Sequence, residues 1–167
     1  MESLFLLAEK EKISITYMQL RKYRNNLWGL YFPGQPGGSP TIYLDMELYN
    51  SPRLYRLARC ILAEELGHHF TGIGSSVFKT HASYSLERKM SADDEKALRW
   101  ATSKLIPTSE ITALFKKGKH LYIDLADYFG VTAWFMFRKM EFLQHQTRAR
   151  HHQELNHLIT GIKISCL

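Results

Sequence analysis

The sequence predicts an α+β fold, in which a small N-terminal antiparallel sheet is followed by a mainly helical part. Two observations carry this prediction. Apolar and polar residues alternate within the first fifty residues, and helical periodicity with capping residues follows. A chain of 167 residues, of which 45% are hydrophobic, can bury one sizeable core. We therefore expect a core domain over residues 1–110 and a helical C-terminal region, residues 111–167, packed on it.

The N-terminal sheet is expected within residues 13–45. Its strands should lie in ISITYMQL, NLWGLYF and TIYLD, where the alternation is that of half-buried strands. An Arg/Asn cluster near Tyr23 separates the first two segments, and the turn-rich PGQPGGSP separates the last two. The spacing of strands and turns predicts an antiparallel sheet.

Two helices with clear start signals follow the sheet. The first is expected over about residues 52–70, because Ser51 can cap it and Pro52 suits its first position. The second is expected over about residues 92–105, with Ser91 as its cap. Both helices carry the polar residues from which a site can be built.

The C-terminal region has the pattern of a helix-turn-helix. The segment DLADYFGVTAWFMFRKMEFL predicts two helices broken at residues 130–132, with Thr132 capping the second. A helix that reads DNA presents Arg, Asn, Gln or Lys to base edges, whereas this one begins with the apolar residues 134–137. Core packing is the favoured role of these residues, and docking of a protein substrate is the alternative.

Composition and charge limit the classes of partner. A net charge of +6 permits an acidic partner such as nucleic acid, but many small basic proteins bind none. No apolar run approaches the ~18 residues of a membrane span, and MESLFLLAEKEK lacks the features of a signal peptide. Cys60 and Cys166 are not in a zinc-binding spacing. We therefore expect a cytoplasmic protein without a membrane partner, whose basic tail over residues 144–157 is solvated.

The segment AEELGHHF, residues 63–70, places two glutamates and two histidines on the first helix. At ~100° per residue, Glu65, His68 and His69 lie near its apolar stripe, with Glu64 on the flank. A buried carboxylate is costly unless it is paired, protonated or bound to metal. Glu64 and His68 are spaced i,i+4 like the metal ligands of H-E-x-x-H, whose inner glutamate acts on metal-bound water. The alternative is two ordinary helical ion pairs, Glu64–His68 and Glu65–His69, on a partly wet surface.

Asp94 is the expected third ligand. On the second helix it shares the core-facing side with Ala97 and Leu98, whereas Glu95 points about 100° away. An acid in the first turn is also favoured by the helix dipole, by ~0.3–1 kcal/mol, and this effect alone would explain Asp94. The two roles are compatible, because a three-ligand catalytic site needs an inward acid from elsewhere in the fold.

Taken together, the two segments resemble the ImmA/IrrE family of metallopeptidases, found largely in bacteria, their prophages and conjugative elements. CILAEELGHHFTG is similar to a helix of the H-E-x-x-H type, and DDEKALRWATSKLIP is similar to E-x-x-A-x-x-W-A-x-x-x-L-I-P. The positions that match the second motif are Asp94, Ala97, Trp100, Ala101, Leu105, Ile106 and Pro107. The resemblance is strongest over residues 60–107 and extends more weakly over about residues 41–143.

The resemblance implies a zincin-like fold in which Glu64, His68 and Asp94 hold Zn²⁺ and Glu65 is the general base. Glu64 stands where histidine is usual in the family, and Asp94 stands where glutamate is usual. The implied function is a limited cut in the helix-turn-helix repressor of a prophage or mobile element, which switches on its genes. Two alternatives are a catalytically impaired relative that binds the repressor without cutting it and, less favoured, a DNA-binding regulator.

The two substitutions predict low intrinsic activity. With His68 neutral, two carboxylates balance the charge of Zn²⁺, so the site acidifies bound water less than a more positive one. An oxygen-rich ligand set also lowers the preference for zinc over Mn²⁺. His69 and His81 are lesser candidates for ligation or a supporting contact, and Tyr84 is a lesser candidate for stabilising an oxyanion.

Overall fold

The computed structural model describes residues 1–72, 92–118 and 121–150, with side chains up to residue 146. Within these ranges the chain forms three strands and seven α-helices, which confirms the α+β class. The strands are β1 (Ser14–Met18), β2 (Gly29–Phe32) and β3 (Thr41–Asp45). The helices are α1 (Glu2–Lys10), α2 (Met46–Asn50), α3 (Tyr55–Phe70), α4 (Ala92–Leu105), α5 (Thr108–Lys116), α6 (Tyr122–Phe129) and α7 (Ala133–Arg150). None of these helices is long and apolar enough to cross a bilayer.

The sheet is mixed, with β3 at its centre. β3 pairs with β1 in parallel, in a register that places Ser14 opposite Thr41, and with β2 in antiparallel, where Phe32 lies opposite Thr41. The expected antiparallel pairing is confirmed for β2 and β3, which PGQPGGSP separates, but the expectation of a wholly antiparallel sheet is wrong for β1. Alternation of apolar and polar residues shows which face of a strand is buried, and it does not encode the direction of the neighbouring strand.

Helix α1 lies before the sheet, in a segment for which the sequence predicts no helix or strand. It buries Leu4 and Ala8, each 1% exposed and spaced i,i+4, so the two lie on one face of the helix. Of its other large apolar residues, Phe5 and Leu6 are exposed and Leu7 is half-buried. A face of two residues gives too weak a period to identify a helix from sequence.

The helix predicted over about residues 52–70 consists of two consecutive segments. A 3-10 turn covers Pro52–Leu54, and α3 then runs from Tyr55 to Phe70. The end of α3 at Phe70 agrees with the prediction. Proline is at the first position as expected, but Ser51 makes no side-chain capping hydrogen bond. The capping bond of this region belongs to α2, where the Asp45 carboxylate accepts from the backbone N–H of Glu47 at 3.0 Å.

The chain divides into two compact units, Met1–Ala101 and Thr102–Leu167, so the division falls within α4. In the first unit, α3 packs on β2 and β3. Ile42 and Leu44 of β3 and Leu66 of α3 expose no surface. This packing fixes α3 against the sheet and so positions the polar residues of its C-terminal half.

In the second unit, α6 and α7 form the predicted pair of helices. Gly130 ends α6 in the left-handed conformation, with a φ of 60°, which glycine adopts without strain. The Thr132 hydroxyl then accepts a hydrogen bond from the Phe135 backbone N–H at 3.2 Å, so the expected cap of α7 is confirmed. α7 continues to Arg150, so the first part of the polar tail, residues 144–150, is helical. Residues 151–157 of the tail lie outside the described residues.

The apolar beginning of α7 is divided between core and surface. Phe135 and Met136 expose no surface, which confirms core packing for these two. Trp134 is 55% exposed and Phe137 is 38% exposed, so core packing is wrong for them. A helix turns by ~100° per residue, and a run of four apolar residues therefore cannot face one side.

A charged residue is buried in α7. Lys139 is 3% exposed, and its Nζ donates a hydrogen bond to the Ser103 hydroxyl of α4 at 3.3 Å. Burial disfavours the charged form of the amine and lowers the pKa of Lys139 from 10.5 to about 8. Because the amine is charged at neutral pH, burying Lys139 lowers the free energy of unfolding there.

Candidate metal centre

The C-terminal half of α3 turns two polar residues toward the core. Glu65 is 7% exposed and His68 is 4% exposed, on the same helix as the fully buried Leu62 and Leu66. The inward orientation that the helical periodicity predicts for Glu65 and His68 is therefore confirmed. Burial of Glu65 also rules out the alternative in which it forms an ion pair on a partly wet surface.

The Glu65 carboxylate lies against strand β2. The backbone N–H of Tyr31 donates a hydrogen bond to it, while its other oxygen, Oε2, is buried and finds no hydrogen-bond partner within the described residues. Burial raises the pKa of Glu65 well above 4.5, the charges of Glu64 and Asp94 raise it further, and the Tyr31 hydrogen bond opposes the rise. A buried oxygen without a partner costs ~1–3 kcal/mol, and a water molecule or substrate could satisfy it.

Gly29 makes room for this carboxylate. A Cβ at Gly29 would lie 2.5 Å from Cγ2 of Ile61 and 2.7 Å from Oε1 of Glu65, both inside contact distance. The residue therefore has to be glycine for Glu65 to adopt this position beside β2. This role of Gly29 is not predicted from the sequence, because a glycine at the start of a strand does not show which side chain occupies the space beside it.

His68 meets Asp94 across two helices. The distance from His68 Nε2 to Asp94 Oδ1 is 3.8 Å, and the two side chains are 5% and 22% exposed. This separation is too long for a good N–H···O hydrogen bond, which is ~2.7–3.2 Å. Two ligands of one tetrahedral zinc, each at ~2.1 Å, lie about 3.4 Å apart. The pair is thus spaced like two ligands of one ion, and imidazole nitrogen with carboxylate oxygen is a donor set that zinc binds.

Glu64 lies one turn before His68 and is half-buried. In the described part of the chain, no three or more His, Cys, Asp and Glu side chains are arranged to hold a metal ion. Of the three predicted ligands, the structure therefore brings together His68 and Asp94, and Glu64 does not complete a three-residue group with them. The donor chemistry and spacing of the pair fit a divalent cation, and the carboxylate of Glu64 is within one helical turn.

The lesser candidates have other contacts. His69 Nδ1 and the Tyr31 hydroxyl are 2.9 Å apart and share a hydrogen bond, which gives His69 a supporting contact. Glu95 pairs with Arg99 at 2.6 Å, so its carboxylate is held away by a charge on its own helix. His81, Tyr84, Ser91 and Cys166 lie outside the described residues.

Aromatic rings line the crossing of α3 and α4. Phe70 stacks on Trp100 with ring centroids 4.7 Å apart and planes inclined by 12°, and the His69 ring meets Phe70 edge to face at 5.2 Å. Phe70 remains 37% exposed. The motif that contains Trp100 does not predict which ring stacks on it.

The roles of Tyr31 and Gly67 are also not predicted from the sequence. Tyr31 holds Glu65 through its main chain, and Gly67 brings the backbone of α3 against that of α4 at Ala97. The Tyr31 contact has no signal in the chain, because it uses a main-chain N–H that nearly every residue carries. A glycine inside a helix does suggest a close approach, but it does not show which backbone is approached.

Comparison with known proteins gives no relative. No family model, no curated protein and no solved structure matches the chain.

Proposed function

We propose that the chain is a metal-dependent endopeptidase of low intrinsic activity. The observation that supports this most is the meeting of His68 and Asp94 from two helices, beside the buried Glu65. A structural ion pair would by itself explain why His68 and Asp94 lie close together. It would not account for a buried carboxylate next to them, one oxygen of which has no hydrogen-bond partner among the described residues, since buried polar groups are normally hydrogen-bonded. A hydrolytic site does account for it, because a general base has to reach a water molecule.

In this proposal Glu64, His68 and Asp94 hold Zn²⁺, and Mn²⁺ is the alternative ion that two carboxylates favour. When bound, the ion supplies Lewis acidity, which polarises a peptide carbonyl and lowers the pKa of water. His68 uses Nε2, the atom that faces Asp94. Glu64 joins by rotation of its half-buried side chain, a motion that is fast on the timescale of binding.

Glu65 is the general base in this proposal. It accepts a proton from the attacking water molecule and returns it to the leaving amine. The hydrogen bond from the Tyr31 N–H fixes the carboxylate, so Oε2 is the oxygen that takes the proton. Gly29 supports the same position by leaving the space that the carboxylate occupies.

The proposed substrate is the helix-turn-helix repressor of a prophage or mobile element, and a limited cut would switch on the genes that it silences. This part of the proposal rests on the resemblance to the ImmA/IrrE family. The proposed partner is accordingly a protein. We do not propose direct binding of nucleic acid, because the large exposed side chains at the beginning of α7, Trp134 and Phe137, are aromatic rather than basic.

The test combines metal analysis with a cleavage assay. The purified chain is incubated with the repressor encoded beside its gene, with Zn²⁺ or Mn²⁺, and with or without a chelator. We expect about one ion per chain, a single cut detected by mass spectrometry, and loss of the cut with chelator or in Glu65→Gln. Glu95→Gln is the matched control and should cut normally, because Glu95 pairs with Arg99. Absence of bound metal, or full cleavage by Glu65→Gln, would overturn the proposal.

A second candidate is a relative that binds the repressor without cutting it. The observation that favours it is that, among the side chains described, Glu64 does not form a three-residue metal group with His68 and Asp94. This candidate predicts a stable complex on size-exclusion chromatography, unchanged by chelator and by Glu65→Gln, with intact repressor. The same incubations therefore distinguish the two candidates.

A further inference from the structure

Helices α3 and α4 meet backbone to backbone at Gly67. A Cβ built on Gly67 would lie 2.3 Å from the carbonyl oxygen of Ala97, 2.9 Å from its carbonyl carbon and 3.0 Å from its Cα. All three atoms belong to the main chain of α4, so no side chain can move aside to make room. This approach requires glycine at position 67.

The contact lies next to the two donors that meet across the helices. Gly67 directly precedes His68 in α3, and Ala97 lies one helical turn after Asp94 in α4. The spacing of the two backbones at Gly67 therefore controls how near the Asp94 carboxylate comes to His68 Nε2, now 3.8 Å away.

The displacement of α4 that a side chain at position 67 would cause is close to the length that one methylene group adds to an acidic side chain. Ordinary contact begins at 3.4 Å, so an alanine at position 67 would push Ala97 back by about 1.1 Å, the difference from 2.3 Å. Aspartate is shorter than glutamate by one carbon–carbon bond of about 1.5 Å. The close approach at Gly67 thus offsets the shorter reach of Asp94.

We propose that Gly67 is a positioning residue that matches the spacing of α3 and α4 to an aspartate at position 94. The inference rests on the proposed metal centre. It assigns Gly67 a role in ligand reach, which differs from a role in packing alone. If Gly67 served packing alone, a longer acid at position 94 would not compensate for its loss.

The test is a double-mutant cycle on metal affinity, read by competition with a chromophoric chelator for Zn²⁺. The full chain is compared with Gly67→Ala, Asp94→Glu and the double variant. Each single variant is expected to bind at least about tenfold more weakly, the range seen when groups that orient metal ligands are lost. The double variant is expected to return to within about threefold of the wild type, because the longer acid spans the wider gap.

Asp93→Glu is the matched control for the added methylene. Asp93 precedes Asp94, is 34% exposed and lies 3.9 Å from Lys96 Nζ. Combined with Gly67→Ala, it should leave binding as weak as in Gly67→Ala alone. Recovery by Asp93→Glu as well, or no recovery by Asp94→Glu, would overturn the inference.

The remaining outcomes separate the inference from the proposed function. A wild type that binds no stoichiometric metal overturns both. A wild type that binds metal, with a folded Gly67→Ala variant that binds equally well, overturns the inference and leaves the metal centre standing. If Gly67→Ala does not fold, the Asp94→Glu variant still tests the inference. Metal binding by Asp94→Glu that is as tight as that of the wild type, or tighter, would overturn it.

Discussion

Replacing Lys139 with methionine should stabilise the protein. Lys139 is 3% exposed, and its pKa falls from 10.5 to about 8 on burial. Each pKa unit corresponds to ~1.36 kcal/mol, so the buried charge costs about 3 kcal/mol below pH 8. Methionine has a similar shape but loses the hydrogen bond to Ser103, worth ~0.5–1.5 kcal/mol. We expect a net gain of roughly 2 kcal/mol in the free energy of unfolding at pH 7.

The pH dependence makes this prediction specific. Because the pKa of Lys139 is lower in the folded state, the unfolded chain binds more protons between about pH 8 and pH 10.5. The free energy of unfolding of the wild type should therefore rise across this window relative to Lys139→Met. The advantage of the variant is full below pH 8 and is lost as the pH approaches 10.5.

The assay is urea unfolding at several pH values from 7 to 10, with the difference between variant and wild type as the readout. Lys139→Arg is the control, because arginine stays charged throughout this range and should remain less stable than Lys139→Met at pH 10. A difference between Lys139→Met and wild type that does not change with pH, or a loss of stability at pH 7, would refute the reasoning.

Three other substitutions test the site and the second unit. Glu65→Gln should abolish cleavage and stabilise the metal-free protein at pH 7. Because burial raises the pKa of Glu65, the stability of the wild type should fall as the pH rises from 4.5, and that of the variant should fall less. Melting temperatures that fall equally in the variant and the wild type would contradict this. Gly29→Ala should lower stability by about 1–3 kcal/mol in urea and slow cleavage, since its Cβ would displace Glu65; unchanged cleavage would contradict the role of Gly29. Thr132→Ala should cost about 1 kcal/mol in urea unfolding by removing the cap of α7, with Thr132→Ser as the control that keeps it.

Helical periodicity predicted which polar residues of α3 are buried. The positions of Glu65 and His68 on the buried face of α3 follow from a rotation of ~100° per residue, which depends only on local geometry. The break at Gly130 and the cap at Thr132 were predicted for the same reason, since each is a local property of one or two residues.

The parts that the sequence did not predict depend on pairing between distant segments. The parallel direction of β1 is set by its neighbour β3, and nothing in the alternation of β1 encodes it. The separation of α3 from α4 at Gly67 is likewise a property of two backbones. The distance between His68 and Asp94 also depends on how two helices pack, so the sequence could suggest that the two residues converge but could not give their distance.

Tyr31 has two roles that a mutational scan would separate poorly. Its hydroxyl contacts His69, and its main-chain N–H contacts Glu65. Nineteen substitutions at position 31 would all remove or alter the phenol ring, yet only proline would take away the amide hydrogen. Tolerance of other residues at this position would therefore say little about its importance to Glu65. A backbone-altering replacement, such as an ester in place of the amide, is the experiment that would measure it.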